Sequence, residues 1–517
     1  VLASGHDFYA APRLSPDGRR LAWLCWDHPR MPWDGTELWV AELTAAGALA
    51  AQRRIAGGPC ESILQPAWSP DGHLHFISDR SGWWNLYRLG DDDPAAVAAS
   101  PASAAALAPL AAEFAEPPWV FGLQRYDFLP GGRIAACYSR DGEDRIGIIE
   151  PGIPGIEPLP GALTTFSWLT TLGERLAVIG GGPARAAAVA LLDPAGGIAA
   201  EIRRSKSVTI DPGYLSLPEP IAFPTSYEPG SVTGPLLDEI AAAEDGRGDA
   251  GAALTAHALY YPPANRDFEA PPGTRPPLVV MSHGGPTSAA GSLLSFGIQY
   301  WTSRGIGVVD VDYGGSSGYG RTYRERLKGN WGIVDTVDCI NAARYLAGRG
   351  DADPRRLAVQ GGSAGGYTTL NALTRHRFFA AGASYFGLAD LEAFVNGGTH
   401  KFEAQYLLGL VGPYPELAAV YRQRSPINHV ADITCPVIVL QGLEDEIVPP
   451  AQAEIIVAAL RAKGLPYAYL PFAGEQHGFR KAENIVRAQE AELYFYGRVF
   501  GFTPADDIMP VTIENLA

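Results

Sequence analysis

The sequence predicts two domains of different class: an N-terminal all-β repeat domain and a C-terminal α/β domain built on a doubly wound, mostly parallel sheet. Three observations lead there. At 517 residues the chain is too long for one ordinary core. Residues 1–215 repeat a turn-and-strand phrase. Residues 216–517 instead alternate short apolar runs with helical stretches.

In the first part, SPDGRRLAWL (15–24) returns as SPDGHLHFIS (69–78), with weaker echoes at LPGGRIAACY (129–138) and TLGERLAVIG (171–180). Each is a turn followed by an alternating apolar strand. A second strand follows each, as in TELWVAEL (36–43) and WNLYRL (84–89). Asp-Gly and Gly-Gly supply the positive φ that tight hairpins demand. Four-stranded units at this spacing indicate a β-propeller of about four or five blades in this chain. A larger ring whose first blades lie outside the chain is expected over a four-bladed one. A β-sandwich is the alternative.

In the second part, LVVMSH (278–283), IGVVDVDY (306–313), RLAVQG (356–361) and PVIVLQG (436–442) read as strands buried on both faces. Helical stretches such as DTVDCINAARYLAG (335–348) and AQAEIIVAALRAKG (451–464) separate them. Lys463 then Gly464 is a helix stop. Residues 226–253, rich in glycine and acid, are expected to form an exposed insertion.

Composition excludes several functions. Hydrophobic residues make up 47% and charged residues 19%, which excludes a disordered chain. A net charge of -16 argues against nucleic-acid binding and leaves no polybasic membrane anchor. No apolar run approaches the roughly 20 residues of a membrane span. The cysteines (Cys25, Cys60, Cys137, Cys339, Cys435) form no CxxC pair, so zinc or thioredoxin-like chemistry has no support in the sequence; no metal or cofactor is implied elsewhere either. Their sparse, odd number suits a reducing compartment, and no leader is visible, so a cytoplasmic location is expected. The chain does not begin with Met, which leaves a removed leader open.

The chemistry centres on GGSAGGY (361–367). A buried strand precedes it and a helix follows, the context of a nucleophile elbow with Ser363 at its tip. A dinucleotide loop fails because G-x-G-x-x-G is not satisfied. A serine nucleophile needs a histidine base and a carboxylate behind it. After Ser363 the histidines are His376, His400, His429 and His477. His477 lies in a loop following the strand-like PYAYLPF (466–472), where such a base belongs. Glu444, Asp445 and Glu446 follow VIVLQG and are all candidate acids; spacing alone does not choose among them. Ala364 N–H and the loop after LVVMSH, His283-Gly284-Gly285-Pro286, are candidate oxyanion donors. DYGGSSGYGR (312–321) lacks the Lys-Ser/Thr of a phosphate loop and reads as a rigid turn beside the site.

Taken together, HGGP (283–286), YGGSSGYGR (313–321), GGSAGGY (361–367), GLEDEIVP (442–449) and GEQHGF (474–479) resemble the prolyl oligopeptidase family of serine peptidases (family S9), nearest its acylaminoacyl-peptidase and bacterial aminopeptidase branch. The motifs cover the C-terminal 300 residues in order. The resemblance implies an α/β-hydrolase catalytic domain, with Ser363 as nucleophile, Asp445 as acid, His477 as base, and Gly285 and Ala364 as oxyanion donors. It also implies a propeller that admits short peptides only. Where the family often carries Tyr after the nucleophile this chain has Ala364, and its propeller has fewer blades than the family usually shows.

The expected activity is hydrolysis of short peptides or aminoacyl amides, of aminopeptidase or acylaminoacyl-peptidase type. A carboxypeptidase-type member or an esterase is the alternative, and a non-catalytic propeller scaffold a more distant one. Phe386, Leu391 and Phe394 are candidate pocket residues, with the core as their other reading. Glu113 and Glu116 are candidate anchors for a substrate amine, Arg80 and Arg125 for a carboxylate. No nucleic-acid or membrane partner is expected; the sequence does not fix the oligomeric state, and the resemblance leaves a homo-oligomer through propeller-edge or sheet-edge association as an option.

Overall fold

The computed structural model describes residues 1–90, 104–193, 195, 197–244, 254–397 and 399–516. It contains two compact units. One comprises Val1–Thr209 with Gly291–Leu294 and Ser317–Tyr323; the other comprises Ile210–Ala290, Ser295–Ser316 and Arg324–Ala517.

The first unit holds four antiparallel four-stranded sheets, each pairing its strands in chain order. They are β1 to β4 (Phe8–Leu14, Arg20–Trp26, Glu37–Leu43, Leu49–Gly57), β5 to β8 (Ile63–Trp68, Leu74–Ser78, Asn85–Leu89, Ala104–Ala106), β9 to β12 (Tyr126–Phe128, Ile134–Arg140, Glu143–Ile149, Glu157–Pro158) and β13 to β16 (Thr165–Leu172, Arg175–Gly182, Arg185–Leu192, Ile198–Arg204). These are the propeller blades that the repeated phrase predicts. The phrase is the turn into the second strand of each sheet. Its physics is the same in the first two. Gly18 N–H donates to Ser15 O at 2.8 Å and Gly72 N–H to Ser69 O at 2.9 Å. Each serine Oγ accepts the backbone N–H that opens the strand, from Arg20 at 2.9 Å and from His73 at 3.1 Å. Gly18 and Gly72 sit at φ 69 and 89, which L side chains avoid. The sheets pack through their apolar faces, as Leu38, Ile63 and Phe76 do with no exposed surface.

The stretch Ser317–Tyr323 groups with this unit because its polar atoms are used there. Arg321 Nη1 meets Asp79 Oδ2 at 2.6 Å, and its Nη2 donates to Asp34 O at 2.8 Å. The compact units therefore exchange at 209/210 and at 290/291, 294/295, 316/317 and 323/324, where sequence grammar alone gives a single change at 215/216.

The second unit is built on one eight-stranded sheet. Its strands are β17 (Glu219–Pro224), β18 (Thr255–Tyr261), β19 (Leu278–Ser282), β20 (Gly307–Asp312), β21 (Leu357–Gly362), β22 (Ala381–Tyr385), β23 (Val437–Gly442) and β24 (Tyr467–Phe472). The order is β17-β18-β20-β19-β21-β22-β23-β24. From β20 to β24 every pairing is parallel; β17 and β18 add an antiparallel edge. Val279, Val308, Ala358, Ala383 and Ile438 are fully buried, as strands covered on both faces require. Helices Val334–Arg349, Ala364–Arg375, Ala451–Lys463 and Ala482–Phe500 connect or follow the strands. Gly464 caps its helix at φ 69, as the sequence predicts. Among the described residues no helix is long and apolar enough to cross a membrane.

The acid- and glycine-rich segment 226–253 differs from the exposed insertion expected of it. Residues 245–253 lie outside the described residues. The remainder is docked: Val232 and Leu236 are buried, Thr233 N–H donates to Asn330 Oδ1 at 2.8 Å, and Arg326 Nε donates to Glu239 Oε2 at 2.8 Å. Polar composition hid two apolar anchors and a matched ion pair.

The turn assignment has a direct test. Gly18→Ala places a Cβ on a left-handed backbone with open space around it, so backbone strain alone should cost about 1 kcal/mol. The urea midpoint should fall accordingly; an unchanged midpoint would contradict the turn geometry.

Candidate active site

Four loops at the C-terminal ends of parallel strands carry the sequence-predicted residues. Ser363 follows β21 and caps helix Ala364–Arg375, with φ 58 and ψ −120. A β-carbon-bearing residue is held in this region only when its surroundings impose it. Two contacts impose it here. Ser363 N–H donates to Tyr385 O at 3.0 Å, across to the end of β22. Behind the turn the backbone is pressed against β19: a Cβ on Gly365 would stand 2.0 Å from Ser282 O. Glycine is therefore required there for packing.

Ala364 supplies the first amide of the helix, a donor with no intrahelical acceptor, and its side chain is buried. The His283–Pro286 loop lies alongside. A Cβ on Gly284 would stand 3.6 Å from Ser363 Cβ, so the backbone at Gly284 runs past the serine. Tyr313 holds this loop: its ring stacks on His283 at 4.3 Å, and its hydroxyl donates to His283 O at 3.1 Å. His283 itself is spent on structure, with Nδ1 at 2.9 Å from Gly284 O and Nε2 at 2.7 Å from Ser316 Oγ. Burial pushes its pKa down to about 4, so it stays neutral.

Asp445, after β23, is buried, while Glu444 and Glu446 beside it are exposed. Its Oδ1 accepts the N–H groups of Ile447 and Val448, both at 2.9 Å. Its Oδ2 faces His477 Nδ1 at 2.8 Å. The geometry thus selects among three carboxylates that sequence spacing left equal. His477 lies in the loop after β24, and Glu475 clamps that loop. Glu475 accepts the N–H groups of Arg480 and Lys481, each at 2.9 Å, and Asn484 Nδ2 at 2.8 Å. The other three histidines are engaged elsewhere or lack such a partner: His400 pairs with Glu403, and His429 with Gln423 O. Burial and the neighbouring Arg375 and Arg344 lower the pKa of His376, which no carboxylate holds in a hydrogen bond among the described residues.

Phe386 links the elbow to the base. Its ring lies 4.8 Å from the His477 ring, and a Cβ on Gly362 would stand 3.0 Å from the Phe386 ring. Of the three candidate pocket residues, Phe386 is half-buried against His477, while Leu391 has no exposed surface and Phe394 retains 9%.

The candidate end anchors lie in the first unit and take part in ion pairs or hydrogen bonds there. Glu113 is 1% exposed and accepts Trp84 N–H at 2.8 Å and Gly320 N–H at 3.1 Å. Arg80 pairs with Glu61 at 2.8 Å and stands over the Tyr87 ring at 5.1 Å. Arg125 is buried between Glu116 at 2.7 Å and Asp144 at 3.2 Å.

Sequence reading missed Tyr313, Glu475, Tyr385 and Glu492. Glu492 is fully buried on helix Ala482–Phe500 and accepts the Tyr385 hydroxyl at 2.6 Å. Tyr385 is the residue whose carbonyl receives the Ser363 N–H. Tyr313 and Glu475 at least fall inside quoted motifs; a lone Glu on an amphipathic helix gives no signal.

This site sits within a recognisable protein class: a serine-bearing elbow on a parallel α/β sheet, with antiparallel blades in the same chain. Residues 293–503 match the model of the prolyl oligopeptidase family. A crystal structure of puromycin hydrolase is 40% identical, with TM-score 0.88 over 99% of this chain and 72% of that one. A puromycin-hydrolysing peptidase of Mycobacterium tuberculosis is 43% identical, with TM-score 0.89 over 99% of this chain and 73% of that one. Dipeptidyl aminopeptidase BIII of Pseudoxanthomonas mexicana is 32% identical over 214 residues, which is 40% of this chain and 31% of that protein. The chain belongs to the prolyl oligopeptidase family. Its matches span less than a third of the length of the first curated relatives.

Glu492 yields a pH prediction. Burial pushes its pKa from 4.5 up to about 7, against the lowering by Tyr385 and Tyr496. In that window the folded state holds a proton the unfolded state has lost, so stability falls as pH rises from about 4.5 to about 7 and levels off above. Glu492→Gln should flatten this fall in thermal melts between about pH 5 and pH 8. An unchanged slope would contradict the buried-carboxyl assignment.

Proposed function

We propose that the protein is a serine peptidase hydrolysing short peptides or aminoacyl amides, of aminopeptidase or acylaminoacyl-peptidase type. The observation that carries this is the contact between His477 Nδ1 and buried Asp445 Oδ2 at 2.8 Å, in the same sheet-end loops as Ser363 on its elbow. In this reading Ser363 Oγ attacks the substrate carbonyl and His477 Nε2 takes its proton. Asp445 fixes the imidazole tautomer and stabilises the cation that forms. The N–H groups of Ala364 and Gly285 hold the oxyanion. His477 then protonates the leaving amine, and water, deprotonated by the same imidazole, releases the acyl group.

The helix N-terminus behind Ser363 favours the same negative charge. Phe386, against His477, is the candidate wall for an apolar acyl side chain. The domain assignment follows: 1–215 as propeller blades and 216–517 as the catalytic domain. The 40–43% identical structures are of puromycin-hydrolysing enzymes, which favours an aminoacyl amide with a free amino group over an acetylated one.

Paired chromogenic anilides test this: free-amino aminoacyl forms against their acetylated counterparts, with puromycin alongside. Free forms and puromycin should be cleaved. Ser363→Ala should lower kcat by at least about 10⁴-fold, and Asp445→Asn by about 10⁴-fold. Cleavage of acetylated forms only would assign the acylaminoacyl type. Full turnover by Ser363→Ala would contradict the mechanism.

A further inference from the structure

A second cluster of chemically active side chains lies in the first unit, within the β1–β4 sheet. Antiparallel register sets Cys25 of β2 directly opposite Glu37 of β3, so their side chains share one face. His6, just before β1, joins them. An imidazole nitrogen, Cys25 Sγ and a Glu37 carboxylate oxygen all lie within 4.8 Å of one another.

We propose that His6, Cys25 and Glu37 form a site for a borderline divalent cation of the zinc type. The donor set is the first reason. One thiolate, one imidazole and one carboxylate suit Zn²⁺, whereas Mg²⁺ and Ca²⁺ take oxygen ligands. The second reason is the support around the ligands. Asp27 Oδ2 holds His6 Nδ1 at 2.9 Å, which orients the ring and leaves Nε2 as the coordinating nitrogen, the carboxylate–histidine–metal arrangement of built zinc sites. Trp39 Nε1 donates to Glu37 Oε2 at 2.9 Å and fixes that carboxylate from the other side.

The third reason is that His6 is pinned in the main chain too. Its N–H donates to the Tyr9 hydroxyl at 3.1 Å, and Asp7 N–H donates to Asp27 Oδ1 at 2.8 Å. A segment held so firmly brings its imidazole to a defined point over the sheet. Arg54, half-exposed, meets Glu37 Oε1 at 3.2 Å and holds the carboxylate from the solvent side. Cys25 gives up its thiol proton on coordination. Buried Cys25 supplies the floor of the site, and half-buried His6 and Glu37 leave an approach for a fourth ligand, water. Because β1 is the edge strand of its sheet, the ion would staple the segment before that edge to β2 and β3.

The test uses the whole chain, stripped with chelator and then loaded with Zn²⁺ or Co²⁺ under reducing conditions. The wild type should retain about one equivalent of zinc after washing and show a thiolate-to-cobalt charge-transfer band. Cys25→Ser should abolish the band, and His6→Gln should lose the zinc equivalent while keeping the wild-type circular dichroism. Zinc should raise the melting temperature of the wild type and leave that of His6→Gln unchanged. Cys60 is the exposed thiol, so Cys60→Ser should retain both band and metal. No retained metal in the wild type, or a band that survives Cys25→Ser and disappears with Cys60→Ser, would overturn the proposal.

Discussion

The backbone of one residue is the constraint on which the candidate site in the α/β unit depends. Ser363 sits at φ 58 and ψ −120, a conformation that costs on the order of 1–3 kcal/mol. The surroundings hold it there from two sides. On one side, β22 offers the Tyr385 carbonyl to the Ser363 N–H. On the other, Gly365 packs against the Ser282 carbonyl with no room for a side chain. Everything else at the site is arranged around that point.

The arrangement is layered. Asp445 and His477 touch each other, but each is fixed by a different loop: Asp445 by two backbone amides, His477 by the Glu475 clamp. The His283–Pro286 loop is set by Tyr313 stacking and by a neutral, buried imidazole. In the proposed reaction, such supports would preorganise donors before charge develops, which is where most of the stabilisation of an oxyanion originates. Glu492 extends the same logic one residue further, since it holds Tyr385 by the hydroxyl while Tyr385 holds Ser363 by the carbonyl.

Much of this was legible in the sequence because it is local. The SPDG turns announce themselves through Gly18 and Gly72, which need positive φ, and the elbow through a run of small residues after a buried strand. Order along the chain, with His477 in a loop after a strand, pointed to one histidine as the candidate base. What stayed hidden depends on folding. Glu444, Asp445 and Glu446 are chemically equivalent until the turn buries one of them. Glu113 and Arg80 looked available as end anchors, yet their polar atoms are committed to Trp84, Gly320 and Glu61. Leu391 carries the periodicity of a pocket residue and of a core residue alike, and it is fully buried. His6, Cys25 and Glu37 carry no metal motif in sequence; only the register of β2 on β3 sets Cys25 beside Glu37.

The central claim is that Ser363 is an activated nucleophile served by His477. Covalent labelling reads this without any assumption about substrate. A fluorophosphonate probe should add a single adduct, located by peptide mass spectrometry to the segment containing Ser363, and His477→Ala should slow labelling by orders of magnitude. Absence of labelling at Ser363 in folded protein, or labelling that proceeds equally in His477→Ala, would contradict the account.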